Sequence, residues 1–389
     1  MKIVQDIRAI ARPSQICALL PFYAGNEEES FRFGRLGRWY GRLVALVILI
    51  SSLLFGQDVL FASSEYRLVA NNQGDTEEIN RTIETLLCIG SYTMMVLSSV
   101  LNASRHFRIL RDIAKIDEYL VVSGFRGNYS CRNVGILVGS TALGVLAVAF
   151  YYIHFRSGIY CKKQVILLLV YSLQLLYSTV FAIYLRTLLR SLALRIGFLN
   201  QRLDAFCLQE SGYVDNWLEL SNLIEVLCKF RYITENVNCV AGVALLFYFG
   251  FSFYTVTNQS YLAFASLTAS SLGSKRDVAD TMGLSCAWVL AETITMAMIC
   301  SACDCLASEA NSTAQILARV YGKSKQIHNL IDKFLTKSLK QDLQFTAYGF
   351  FAIDNLTLFK IFSAVTTYLV ILIQFKQLED SKVDEINQA

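Results

Sequence analysis

Beyond Pro21 the chain contains no proline, and it is there that long apolar runs begin. A helix crossing a ~30 Å hydrocarbon core needs about 20 apolar residues, because only a regular helix or a closed barrel satisfies its own backbone in lipid. Seven such runs are present, at about 41–61, 82–103, 133–155, 164–185, 235–257, 280–302 and 350–375. With 54% of 389 residues hydrophobic and 17% charged, the composition excludes a soluble multi-domain protein. The expected fold is an all-α membrane protein with seven transmembrane helices. The third run carries Gly135, Gly139 and Gly144, which suit close helix–helix approach.

Orientation follows from Lys and Arg, which accumulate on the cytoplasmic side. The segment before the first run holds Arg32, Arg35, Arg38 and Arg42, and the loop after the second holds Arg105, Arg108, Arg111 and Lys115. Arg186, Arg190, Arg195 and Arg202 follow the fourth run, and Arg319, Lys323, Lys325, Lys333 and Lys337 the sixth. The other loops are poor in such residues. The N-terminus is therefore expected in the cytoplasm and the C-terminus outside. The first forty residues are polar and Arg-rich, so no cleavable signal peptide is expected and the first run serves as an uncleaved anchor. Most of the eleven cysteines fall in apolar runs or basic loops, and no intrachain disulfide is expected. The sequons at Asn80 and Asn258 fall in outside loops and are the glycosylation candidates.

These features divide the chain into a cytoplasmic segment (1–40), a six-helix membrane domain (41–302) with cytoplasmic helical extensions at about 186–231, cytoplasmic helices (303–356), a last membrane helix (357–375) and an extracellular tail (376–389). Leu188, Leu192, Ile196, Leu199 and Leu203 recur at helical spacing past the fourth run, as do Leu220, Ile224, Leu227 and Phe230. Such stripes either pack together beneath the membrane or lie in its surface. The last run is interrupted by Asp354, Asn355 and Lys360. Ile361 to Phe375 makes roughly 22 Å of helix, short of the hydrocarbon core. The run therefore reads as a cytoplasmic half at about 340–356 and a membrane half at 357–375.

Catalytic patterns are scarce. His106, His154 and His328 are far apart in sequence, and no metal-binding helix is visible. Gly322-Lys323-Ser324 echoes the end of a phosphate-binding loop, but Leu317 occupies its first glycine position. No enzyme activity, cofactor, metal or nucleic acid is expected. Polar residues inside apolar runs are the better signal, since each is costly in lipid. Glu292 and Gln174 are the clearest, either as interhelical bonds or as parts of a site. Tyr92, Tyr151, Tyr171, Tyr248 and Trp288 sit in the outer halves of their runs. They read either as core and interface belt or, with Gln174 as polar handle, as an outward-opening pocket for a small organic molecule. The partners expected from the residues are that molecule and the lipid bilayer.

The sharpest motif is Thr367-Tyr368-Leu369-Val370-Ile371-Leu372-Ile373-Gln374-Phe375. Residues seven apart nearly eclipse on a helix, so Thr367, Ile371 and Gln374 share one stripe and Tyr368 and Phe375 the next. Chemistry alone leaves a helix–helix hydrogen bond and a water-lined path both open. The run matches the TYhhhhhQF signature of insect gustatory receptors, h being hydrophobic, and Gly349-Phe350-Phe351-Ala352-Ile353-Asp354 also resembles that family. The resemblance implies a plasma-membrane receptor of chemosensory neurons acting as a ligand-gated, non-selective cation channel. It further implies a homo- or hetero-tetramer whose last helices line one pore. Gln374 and Phe375 would then form the constriction, with Ile371 and Thr367 along the path. Sugar-sensing members usually carry Glu where this chain has Leu369, so the implied ligand is a bitter or pheromone-type compound. The alternative, a seven-helix receptor signalling through a G protein, is opposed by the inverted topology and by the lack of an Asp/Glu-Arg-Tyr triplet after the third run.

Overall fold

The computed structural model describes residues 2–20, 23–24, 31–32, 35–61, 75–125, 162–208, 217–268, 275–320 and 343–388. Among these the chain is almost entirely helical: α1 (Lys2–Ile16), α2 (Arg35–Phe61), α3 (Asp75–Leu101), α4 (Ala103–Val122), α5 (Lys162–Leu208), α6 (Trp217–Thr268), α7 (Lys275–Val320) and α8 (Asn355–Gln388). A two-residue antiparallel pairing joins Tyr23–Ala24 to Phe31–Arg32. Helices α2, α3, α5, α6, α7 and α8 are each long and apolar enough to cross a membrane. They match six of the seven expected spans. The third, 133–155, lies outside the described residues.

Helices α5, α6 and α7 contain 47, 52 and 46 residues. At 1.5 Å per residue each is roughly 70 Å or more long, over twice the hydrocarbon thickness. They leave the membrane without breaking, and their cytoplasmic ends pack on one another. Leu189, Leu192, Leu199, Leu203, Leu223, Phe230, Leu306 and Leu317 are buried there. Asn200 ties α5 to α7, its Nδ2 donating to the Glu309 carbonyl at 2.9 Å and its Oδ1 accepting from Thr313 at 2.7 Å. The apolar stripes thus find partners in a bundle and do not lie on the lipid surface.

One reading of the sequence is corrected here, and one charge gains a partner. The Arg-rich amino terminus is not simply a polar segment, because α1 turns Ile7, Ile10, Ala11 and Ser14 inward and docks on α4 and α5. Arg195, counted among the cytoplasmic charges, is 1% exposed. Its guanidinium donates to both oxygens of Asp117 on α4, at 2.7 and 2.9 Å, and to the Ser191 carbonyl at 2.9 Å. A buried ion pair is tolerable only with such geometry, and it fixes the position of α4 on α5.

The inner end of α8 differs from expectation as well. Residues 343–354 form a turn, not a helix, closed by a bridge between Thr346 and Ala352. Tyr348 and Gly349 take φ values of 53° and 84°, which end helical continuity. At the other end α8 continues to Gln388, so the expected tail extends the helix.

Candidate functional site

Between the outer halves of α3, α5, α6 and α7 lies a layer of polar and aromatic side chains. Gln174 Nε2 donates to Ser91 Oγ at 3.3 Å, joining α5 to α3. One turn along, Cys88 Sγ donates to the Val170 carbonyl at 3.8 Å. Tyr92 stacks on Tyr177 with ring centres 6.2 Å apart, and Tyr171 meets Trp288 edge to face at 5.7 Å. One turn further along α7, the Glu292 carboxylate accepts from Ser252 at 2.7 Å and from Tyr248 at 3.3 Å. Tyr92, Gln174 and Tyr248 of this layer are buried, and Tyr171 and Trp288 are half-buried. Tyr151 lies outside the described residues.

That layer is not internally satisfied. Gln174 is fully buried, yet its Oε1 has no hydrogen-bond partner among the described residues, and neither does Trp288 Nε1. A buried amide oxygen without a partner costs ~1–3 kcal/mol. Such atoms are the groups that a bound polar molecule or water can satisfy.

A second network, toward the start of α3, was not legible in the sequence. Asn258 Nδ2 donates to Glu84 at 2.5 Å, Gln259 Nε2 donates to the same carboxylate at 3.3 Å, and Ser285 donates to Gln259 Oε1 at 3.1 Å. Tyr254 donates to Asn80 Oδ1 at 3.1 Å. The only hint was the density of Asn, Gln and Ser at 258–260. Here the glycosylation expectation is corrected. Asn80 and Asn258 sit within α3 and α6, not in loops, and are 9% and 4% exposed. The amide nitrogen that would carry a glycan is buried in one and spent on Glu84 in the other.

The turn before α8 explains the second motif. Ala347 and Ile353 are buried, and Phe351 meets Phe249 of α6 edge to face at 5.9 Å. Thr346 N donates to Asn238 Oδ1 at 3.0 Å, and Leu343 N to Asn311 Oδ1 at 2.9 Å, so the turn is held by both α6 and α7. It lies so close to α6 that a Cβ on Gly242 would meet Tyr348 N at 3.1 Å. Asp354 caps α8, accepting from Thr357 N and Oγ1 at 2.7 Å each. The Thr357 bonds, with Lys360 nearby, hold the Asp354 carboxyl below its ordinary pKa.

Along α8 the motif residues face outward. Only 11% of its apolar window is buried, against 61% for α3 and α6. Val365 packs inward and Tyr368 touches Phe253 edge to face at 5.6 Å. Thr367, Ile371, Gln374 and Phe375 are exposed on the single chain. Thr367 returns its hydroxyl to the Ser363 carbonyl at 3.1 Å, whereas Gln374 has no partner among the described residues.

Residues 7–379 match the family model of the 7tm chemosensory receptors. The chain is 79% identical to Gustatory receptor 68a of Drosophila melanogaster over the full length of both. It is 35% identical to Gustatory and pheromone receptor 32a of the same species, across 98% of this chain and 87% of that one. The olfactory receptor OR5 of Machilis hrabei shares the fold, with a TM-score of 0.68 at 12% identity over 95% of this chain and 97% of that one. Architecture, terminal motif and relatives agree: the chain is a membrane receptor, not an enzyme, and it belongs to the insect gustatory receptor family.

Proposed function

We propose that the protein is a ligand-gated, non-selective cation channel of chemosensory neurons, in which four copies of α8, from this chain or from related receptors, surround one pore. The observation that carries this reading is the exposure of α8. It is a strongly apolar span and the least covered among the described residues, yet the stripe it leaves open includes Gln374. Lipid would leave that amide unsatisfied, at several kcal/mol. A ring of copies around water satisfies it and buries the flanking Val370 and Phe375. Phe375 then narrows the path by excluding water, and Gln374 offers its amide to hydrated ions.

The ligand binds in the layer around Gln174, Tyr92, Tyr171, Tyr248 and Trp288. A mostly aromatic lining with few polar handles fits a small organic tastant or pheromone-type compound better than a sugar, as does Leu369. Gustatory and pheromone receptor 32a, by its name, takes ligands of that kind. Ligand binding shifts the bundle toward the open state by its greater affinity for that state. The turn at 343–354 passes the shift to α8, since it rests on both α6 and α7.

The test is whole-cell current in cells expressing the chain, alone and with related receptors, under G-protein blockade. The expected result is a ligand-evoked cation current that survives the blockade. Gln374→Ala should shift the reversal potential or the basal current at unchanged surface expression. A response abolished by the blockade contradicts the channel reading.

A further inference from the structure

On the cytoplasmic side, helix α3 ends its membrane span at Leu101, and the chain breaks at Asn102 before entering α4. Arg105 and Arg108 come four and seven residues past that end, within about 10 Å of it by helical rise, the depth of lipid headgroups. They stand beside a groove between α4 and α6. Its larger part encloses about 620 Å³ and a smaller part about 260 Å³, the two sharing Asp112, Tyr232 and Ile233. Ile109, Ile116, Val226 and Ile233 make the floor apolar.

The charges around it do not balance. Asp112 faces Arg111 at 3.9 Å, and Glu225 is taken by Lys229 at 2.7 Å. Arg108 and Lys115 are exposed and have no carboxylate partner among the described residues. Arg105 donates to Cys239 Sγ at 3.6 Å. Arg105 and Arg108 thus border the membrane-proximal part of the groove at headgroup depth, while Lys115 lies about 21 Å past Leu101 on the cytoplasmic side. The Lys and Arg asymmetry turns this end toward the inner leaflet, where the anionic lipids lie.

We propose that the membrane-proximal part of this groove binds an anionic phospholipid of the inner leaflet, its phosphate held by Arg105 and Arg108 while its acyl chains stay in the bilayer. The guanidinium forks suit phosphate oxygens. The occupant stabilises the seam where α4 meets α6. This inference does not depend on the channel reading.

The experiment uses the full chain in detergent, with retention of lipid from mixed phosphatidylcholine and phosphatidylinositol-bisphosphate micelles read by native mass spectrometry. Wild type should retain the anionic lipid selectively. Arg105→Gln with Arg108→Gln should weaken retention at least about tenfold, each cation near an anionic surface being a substantial fraction of that factor. Lys115→Gln should weaken it less. Arg319→Gln, a single charge loss on α7 like that of Lys115→Gln, should leave it unchanged. Because the altered residues are exposed, the variants should elute as wild type does, and the single Arg108→Gln change serves if the double variant does not. Equal retention in the double variant and Arg319→Gln, no preference for the anionic lipid, or displacement by inorganic phosphate at equal concentration each overturns the lipid assignment.

Discussion

Within the outer layer Glu292 joins α7 to α6. It accepts from Ser252 and Tyr248, both fully buried, and no cation is bonded to it among the described residues. Glu292→Ala strands two hydroxyls, so a loss of about 2–3 kcal/mol is expected. Thermal melting in detergent should show it as a fall of several degrees, and ligand sensitivity should drop with it. Glu292→Gln, which keeps one oxygen acceptor, should recover most of both. His106 provides a second residue-scale prediction. It is buried on α4, close to the Tyr184 hydroxyl at 3.4 Å, and burial lowers its pKa from 6.5 to about 4. The unfolded chain takes up the proton first, so His106 leaves stability intact above pH 6.5 and erodes it between 6.5 and about 4. His106→Gln should flatten that part of a melting-temperature profile; an unchanged slope would place the acid sensitivity elsewhere. Gln174 and Glu292 were legible in the sequence because a polar side chain in an apolar run has few reasons to be there. Their partners Ser91 and Ser252 were not, because serines are common in such runs and acquire meaning only across helices, and Tyr248 reads as a pocket aromatic without its bond to Glu292. The pairing of Arg195 was hidden for the same reason: its partner Asp117 is 78 residues away in sequence and 2.7 Å away in space.

At the scale of elements, the spans were readable and the joints were not. Apolar length identified α2, α3, α5, α6, α7 and α8. The run at 340–356 also reads as helix by hydrophobicity, yet Gly349 at φ 84° and the Asp354–Thr357 cap make it a turn and a fresh helix start. A cap residue with Thr three positions on was the available signal. The function of the Gly-Phe-Phe-x-Ile-Asp run is then physical: it anchors the inner end of α8 to α6 and α7. Gly242→Val tests this. Its Cβ would press on the Tyr348 backbone at 3.1 Å, and backbone yields less readily than a side-chain tip. Overpacking of this kind costs about 1–3 kcal/mol. The expected outcome is weakened coupling, with ligand binding retained and evoked current reduced. Full current in Gly242→Val would show that the seat of the turn does not transmit gating.

For the molecule as a whole, burial is distributed unevenly. The long helices α5, α6 and α7 supply the buried core on the cytoplasmic side, while α2 and α8 remain largely uncovered, with 22% and 11% of their apolar windows buried. Uncovered α2, with Leu43, Leu46, Val47, Leu53 and Leu54 exposed and its exposed polar groups, such as Arg42 and Gln57, confined to its ends, suits lipid. Uncovered α8, with Gln374 on its open face, suits neighbours around water. The central claim is that the Thr367–Ile371–Gln374 stripe borders an aqueous path. It is tested most directly by Gln374→Cys, with a membrane-impermeant methanethiosulfonate reagent applied from outside during ligand-evoked current. The account predicts progressive block in Gln374→Cys and none in the parent chain under the same exposure. Complete labelling of Gln374→Cys with the current unchanged would contradict it.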